Sequence, residues 1–568
     1  MTNAGQPPPA AEPPAAQSRT SEQYTKSLHQ ACTESLQTDL FSRIHYQFLS
    51  HYLKSTSRYG PPTHGPDRRA SVPASQTHVD RFTYVVVHTI SNGTIKRHDF
   101  DHKLGLDEFW AFPEAEPNTD QVIFVRGSLS PAWLELLGAK YKVDPEFFRR
   151  HLQYLSQSDY SDLPPLPSAS TNSIFLPVTS LYTRSLALSE DQVRRQRNED
   201  NDIARNNQQA IRQKATCGES VIRNVSTLSD RLLSIEHDIS IYIRERKNGS
   251  RLAIVFLDNG LNLNRSDGPP CFSRHNSQIK NHTVHEISLN PILIPRPNTV
   301  HISVEHPKVP EHDRGHANHV GSFCNVMSLL PFHFGMSLNQ KTLSHTPRPE
   351  ITVLLMEVFQ LVASSECQFL NRVYGVAKEQ RGHSGDERRM EPALNTLVYI
   401  KTLLDEHRPR LQQTMTFLSC REISGSDPVS STRVPCTTGT SQCVPQGELS
   451  SIYADFEDLL SRNKSLGDFC VESMDLIMNT ALLKESRKAF ENADDQKRLM
   501  ILAYFFLPLS LVSSIFGMNV KEFGTGSQHI WLPVVVLVPI ILFALTLSHP
   551  HYFKPLTLML TKPWRPKT

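Results

Sequence analysis

No two of the nine cysteines stand in a C-x-x-C arrangement, and Cys32, Cys217, Cys271, Cys324, Cys367, Cys420, Cys436, Cys443 and Cys470 are scattered along the chain. An odd, unpatterned set of this kind excludes a disulfide framework and reads as reduced thiols in a cytosolic portion. Charge of one sign is also missing. Lys and Arg number 59 against 57 Asp and Glu, a net +2, so no global electrostatic footprint points to nucleic acid. The opening stretch MTNAGQPPPAAEPPAAQSRTSEQ has no basic segment leading into an apolar one, so no cleaved signal peptide is expected there. G-x-x-x-x-G-K-[ST] is absent, and with it the phosphate cradle of an ATP-driven machine. No nucleophile–base arrangement or closed set of metal ligands stands out, so neither enzymatic activity nor a bound cofactor is expected.

At 568 residues the chain exceeds the size at which a single hydrophobic core keeps growing, and two or more units are expected. Residues 1–78 are rich in Pro, Ala and Ser. They read as largely disordered, with short helices over 22–53. From Arg81 to residue 345 the character is α/β. Phe82–His88, Gln121–Arg126, Ser173–Val178, Ser240–Ile243, Leu252–Leu257 and Val300–Val304 are runs of β-branched and aromatic residues suited to strands. Ser130-Pro131 opens one helix between them, and Pro145–Tyr154 is a second. The charged stretch 186–214 reads as a helix or linker with a solvated face. We therefore expect a cytosolic α/β domain over 79–345 and a helical stalk over 346–498, with a disordered insertion near 421–448. Within the stalk, Phe456, Leu459, Leu460, Leu466, Phe469, Cys470, Leu476, Ile477 and Ala481 make a stripe at three- and four-residue spacing. A helix that long without a stop is the pattern of a coiled coil.

That helix does not stop at Arg498. Leu499–Phe516 gives 18 residues without a charge and Ile530–Ser548 gives 19 more, with only a short loop between them. Crossing ~30 Å of hydrocarbon needs about 20 helical residues, so the C-terminal part reads as a two-span membrane hairpin. Its parts are a first transmembrane helix over 499–519, an outer loop over 520–529, a second helix over 530–548 and a basic tail over 549–568. Lys497 and Arg498 precede the first span, and Lys554, Lys562, Arg565 and Lys567 follow the second. Basic residues on both outer flanks place both termini in the cytoplasm, with the plasma membrane as the expected location.

Leu499, Ala503, Leu507, Ser510, Ser514 and Gly517 follow one another at steps of 4, 4, 3, 4 and 3, a single helical stripe. Two readings of it stay open. Small residues permit close packing of helices in a membrane, or the stripe lines a narrow aqueous path between several copies. Two spans cannot enclose a pore, so conduction requires self-association.

The stretch LAYFFLPLSLVSSIFGMNV, entered by a long cytosolic helix and followed by a short loop, a second span and a basic tail, resembles the CorA-type magnesium (divalent metal ion) transporter family. The similarity covers roughly residues 450–555, and the large, interrupted cytosolic half suggests a divergent, eukaryotic-type member. The resemblance implies a homo-oligomer, a pentamer in that family, with the first span around the pore. It further implies that Gly517, Met518 and Asn519 form the selective outer mouth. Leu499, Ala503, Leu507, Ser510 and Ser514 would line the pore below it. A ring of Asn amide oxygens suits Mg²⁺, which gives up its waters reluctantly and is best held through its hydration shell. The loop VKEFGTGSQH departs from the family in having Glu522 as its only acid, beside Lys521. A non-conducting membrane-anchored scaffold or sensor is the alternative. The expected partners are the lipid membrane and other copies of the chain, with no nucleic acid. Mg²⁺ or another divalent cation enters as transported ion and regulator, not as a cofactor. Among seven histidines between His301 and His345, His312, His316 and His319 have transition-metal spacing. A polar loop explains them better, and no cytosolic metal residues are assigned.

Overall fold

A computed structural model describes residues 14–34, 42–54, 82–91, 94–101, 105–156, 166, 171–184, 187–214, 217–260, 287–289, 291, 293, 326–336, 350–425, 449–516, 529 and 531–548. The chain divides into two compact units. One is Met1–Gly382 with Glu391–Met474, and the other is His383–Met390 with Asp475–Thr568.

The first unit is built on an eight-stranded sheet of order β2-β1-β3-β7-β6-β4-β8, with β5 pairing beside β6. The strands are β1 (Thr83–Ser91), β2 (Thr94–Asp101), β3 (Asp120–Arg126), β4 (Ser173–Thr183), β5 (Asn224–Thr227), β6 (Leu232–Glu245), β7 (Arg251–Leu257) and β8 (Ile287–Leu289). All neighbours are antiparallel except the central pair β3 and β7. These two strands, DQVIFVR and RLAIVFL, are buried along their whole length, the near-continuous apolar run of a strand covered on both faces. Their entry is fixed by charge: Arg251 donates from Nε and Nη2 to the two Asp120 carboxylate oxygens at 2.9 and 2.8 Å, a bidentate pair.

Helices α1 (Pro14–Thr33), α2 (Gln47–Lys54), α3 (Gly105–Ala111), α4 (Pro131–Tyr141) and α5 (Pro145–His151) share one core with the sheet. Trp133, Phe147 and Phe148 are buried there with Val85, Ile123, Ile254 and Phe256. As the sequence predicts, Ser130 caps α4. Its side chain accepts the Trp133 N–H, and Pro131 sits in the first turn, where its missing N–H costs nothing. The Lys140 ammonium donates to the carbonyls of Phe109, Trp110 and Phe112 at 2.6–2.9 Å and closes the C-terminal end of α3.

Three expectations change. Helix α1 begins at Pro14, within the stretch read as a disordered tail, and neither α1 nor α2 stands apart from the domain. The Tyr24 hydroxyl donates to the Val143 carbonyl, Thr25 to Glu135, and Tyr52 to the Leu129 carbonyl at 2.6 Å. Helix α6 (Glu190–Lys214) is not simply solvated. Asp200 is buried and accepts from both the amide and the hydroxyl of Thr227, and Arg197 donates to the Thr227 and Leu228 carbonyls. The boundary drawn at residue 346 does not separate two compact units. Helices α8 (Met356–Gly382) and α9 (Glu387–Gly425) belong mostly with the sheet. Ser365 of α8 donates to the Thr179 carbonyl of β4 at 2.8 Å, and Arg410 of α9 pairs with Glu236 of β6. A short helix, α7 (Val326–His333), meets β1 and β3, where His88 bonds the Pro331 carbonyl at 2.7 Å. Burial holds His88 neutral, with its pKa pushed down to about 4. The Val300–Val304 strand and the remainder of the 421–448 insertion beyond α9 lie outside the described residues.

Candidate functional site

Helix α10 (Ser450–Phe516) is one uninterrupted helix of 67 residues. Its first part carries a buried seam: Ile452, Phe456, Leu459, Asn463, Leu466, Cys470, Ser473 and Ile477. The steps alternate four and three, the spacing of two helices packed knobs-into-holes. Sequence reasoning placed Leu460, Phe469, Leu476 and Ala481 on this stripe. The structure substitutes Asn463 and Ser473, because polar groups here find partners. Asn463 donates to the Leu404 carbonyl of α9 at 3.1 Å, and Ser473 donates to the Phe469 carbonyl one turn back at 2.6 Å. Arg462 reaches across to Asn371 of α8 at 2.5 Å. An added Cβ at Gly467 would lie 3.3 Å from the Arg408 guanidinium, so glycine lets α10 approach α9 closely.

In the second unit the helix changes character. From Leu482 onward nearly every side chain is exposed, among them Leu483 and Phe490, each 72 %. With Leu476 these two follow at seven-residue intervals. On the segment after Arg498, Leu499, Met500, Leu502, Tyr504, Phe506, Leu507, Leu509 and Leu511 are all exposed, over an arc of about 220° around the helix. The five stripe residues Leu499, Ala503, Leu507, Ser510 and Ser514 are exposed within it. At 100° per residue they fall within an arc of about 80°. On helix α11 (Trp531–Ser548) Trp531, Val534, Val535, Val538 and Leu542 are exposed, an apolar face about 100° wide.

Among the described residues no helix is long and apolar enough to cross a membrane. The side chains of Ile501, Phe505, Val512, Ile515 and Phe516 in α10 lie outside the described set, as do that of Pro533 and those past Leu542 in α11. Gly517, Met518, Asn519 and Glu522 lie outside the described residues, as do His312, His316 and His319. Among the described residues no group of three His, Cys, Asp or Glu side chains is placed to hold a metal ion. Among the described residues Cys32, Cys217, Cys367 and Cys470 are free cysteines.

Sequence reasoning missed two buried charge clusters in the first unit. In one, Arg223 donates to both oxygens of the fully buried Asp258 at 2.5 and 2.9 Å and pairs with Asp238 at 3.2 Å. In the other, His407 of α9 lies between two acids. Its Nδ1 is 3.0 Å from Glu366 of α8 and its Nε2 is 3.3 Å from Glu236 of β6, while the Phe369 ring stacks on it at 4.4 Å. Both ring nitrogens face carboxylates, which only the doubly protonated imidazolium can serve. Burial alone would push the His407 pKa down. The Glu366 charge and the bonds to both acids hold it up, at about 10. Burial likewise pushes Glu236 up, but the Arg410 charge and the His407 bond carry its carboxyl well below the usual range. None of the four residues stands in a motif; only the fold brings them together.

No protein-family model matches the sequence, and no curated protein does. Among solved structures the chain is similar to full-length CmaX, at 11 % identity and a TM-score of 0.29, over 82 % of this chain and 97 % of that one. It is also similar to the complete CorA magnesium transporter from Methanocaldococcus jannaschii, at 12 % identity and a TM-score of 0.31, over 85 % and 99 %.

Proposed function

We propose that the chain is one subunit of an oligomeric membrane channel for divalent cations, Mg²⁺ foremost. The first membrane helix lines the path, and Asn519 stands at the outer mouth. The observation that carries this reading is the course of α10. One helix leaves its seam on α8 and α9, runs through a segment that its sequence makes uncharged and apolar all round, and ends at Phe516, directly before Gly517-Met518-Asn519. A helix apolar all round belongs in a core or a bilayer. Water would not support so much exposed Leu, Phe and Tyr, and a second apolar helix of 18 residues follows. On the stripe, apolar Leu499, Ala503 and Leu507 are followed by the hydroxyls of Ser510 and Ser514, which suits an ion that passes hydrated and is not gripped. The membrane potential supplies the drive, ~2.3 kcal/mol per charge per 100 mV.

The test is Mg²⁺ uptake into proteoliposomes under an inside-negative potential, with Asn519→Ala reconstituted alongside. Flux in the parent that falls at least about tenfold in the variant is expected if the amide ring is the mouth. Correctly inserted protein without flux in either sample favours the scaffold reading, and equal flux in both moves the filter elsewhere.

Self-association follows from the same reading. Leu476, Leu483 and Phe490 form an exposed apolar line at heptad spacing, and such a line buries itself against a second helix. Leu483→Asp with Phe490→Asp is expected to reduce the oligomer to smaller species, measured by light scattering of the detergent-solubilised chain, while the unfolding midpoint of the first unit holds.

A further inference from the structure

Helix α9 contains Pro409 in its interior. Proline has no N–H to give the carbonyl four residues back, here that of Asp405, and its ring crowds that turn, so an unsupported helix kinks or opens there. The residues on either side of this weak point are tied to one carboxylate. His407, two residues before the proline, meets Glu236 Oε1 at 3.3 Å, and Arg410, immediately after it, donates to Glu236 Oε2 at 2.8 Å. Glu236 is buried and belongs to a central strand of the sheet, so the two oxygens of one rigidly mounted side chain span the break.

We propose that Pro409 is a hinge in α9 and that Glu236 is the splint that holds it shut. The two arms of the hinge have different attachments. The arm before the proline carries α10, through the Leu404 carbonyl bonded to Asn463 and through the close approach at Gly467. It is also held to α8 by the His407–Glu366 pair. On the arm after the proline, Arg421 donates to the Thr171 carbonyl, two residues before β4. Opening the hinge therefore swings the earlier arm and α10 relative to the later arm, and it strains the His407–Glu366 pair, because Ser365 holds α8 to the Thr179 carbonyl of β4. The groups facing the splint are His407 and Arg410 of α9 and, beside them, Glu366 of α8. Asp238 of β6 and Glu406 of α9 act on Arg410 by charge. The hinge stands whether or not the chain conducts ions.

Hydrogen exchange of the full-length protein in detergent micelles, followed by mass spectrometry, tests it with Glu236→Gln, Pro409→Ala and the double variant. Glu236→Gln keeps the side-chain shape and removes the charge that both partners need. Amides of residues 405–413 should then exchange at least about tenfold faster, with β3 and β7 unchanged. In the double variant the restored N–H of residue 409 closes the helix by itself, and the acceleration should vanish. Pro409→Ala alone should slow exchange in 405–413, a readout that stands even if Glu236→Gln fails to fold. The proposal is overturned if the acceleration spreads evenly over the unit, if it persists in the double variant, or if Pro409→Ala leaves exchange in 405–413 as it was.

Discussion

Gly260→Ala is expected to abolish the folded α/β unit. Three glycines meet where β3 and β7 end: Gly127, Gly218 and Gly260. Gly127 donates to the Leu257 carbonyl at 2.7 Å and Gly218 to the Ser128 carbonyl at 2.9 Å, so the segment after α6 is threaded across the ends of the two parallel strands. Gly127 and Gly218 have φ of +73° and +83°, the left-handed region that favours glycine. At Gly260 the obstacle is space. An added Cβ would run into the Gly218 carbonyl oxygen, with Gly127 Cα 2.7 Å and the Gly218 carbonyl carbon 2.8 Å away. All three are backbone atoms held by the ladder, so no side chain can swing aside. Relief requires parting the strands from the crossing segment, which breaks hydrogen bonds and opens a buried core. A cost above about 4 kcal/mol is a large fraction of what a domain has. The expected result is loss of the protease-resistant first unit and of near-ultraviolet dichroism in the purified chain. Gly375→Ala is the matched control. It sits exposed in the middle of α8 with nothing within 4 Å of an added Cβ, and alanine there should stabilise by about 1 kcal/mol. A folded Gly260→Ala protein with an unshifted midpoint would mean that the crossing segment packs elsewhere.

That junction has no signature in the amino-acid order, and it shows where sequence reasoning reaches and where it stops. β3 and β7 were legible because strands buried on both faces are continuous runs of Val, Ile, Leu and Phe. β2, TIKRHDFD, was missed because it is an edge strand, largely exposed along its length, and charges on an edge guard against unwanted pairing. Its alternation carries no apolar face to recognise. Helix α10 was legible through the absence of any stop, and its seam only in part, since Asn463 and Ser473 are polar in the sequence and buried in the fold. The same limit hides α6, whose inward face is Asp200 and Asn207 among apolar Ile203 and Ile211. The stripe from Leu499 to Ser514 was legible because a helix converts steps of three and four into one face whatever surrounds it. Burial of charge is a tertiary fact. Glu236, Glu366 and His407 are separated by up to 171 positions in the chain, and no local pattern announces that they share a site.

That site governs the second large effect: stability should fall as pH rises from 6.5 to 8, and His407→Gln should remove the slope. The His407 pKa is about 10 in the folded chain against an ordinary 6.5. A raised value means that the folded state holds a proton the unfolded state releases between those limits. The stabilisation is then complete below pH 6.5 and is lost as pH climbs through 10, at about 1.4 kcal/mol per unit. Lys140 works in the opposite sense. Burial pushes it down to about 8 from 10.5, so its charged form penalises folding below pH 8 and the penalty lifts above it. The clean interval is pH 6.5 to 8, where His407 alone of these two contributes and about 2 kcal/mol should disappear. Denaturant titrations of the full-length chain at half-unit steps, with constant ionic strength, give the slope. In His407→Gln the two acids keep only Arg410 as a cation, so the variant should start lower at pH 6.5. It should show no fall to pH 8, because the group that titrates differently in the two states is gone. Parallel slopes in parent and variant would place the proton elsewhere and would leave Glu366 to be neutralised by some other group.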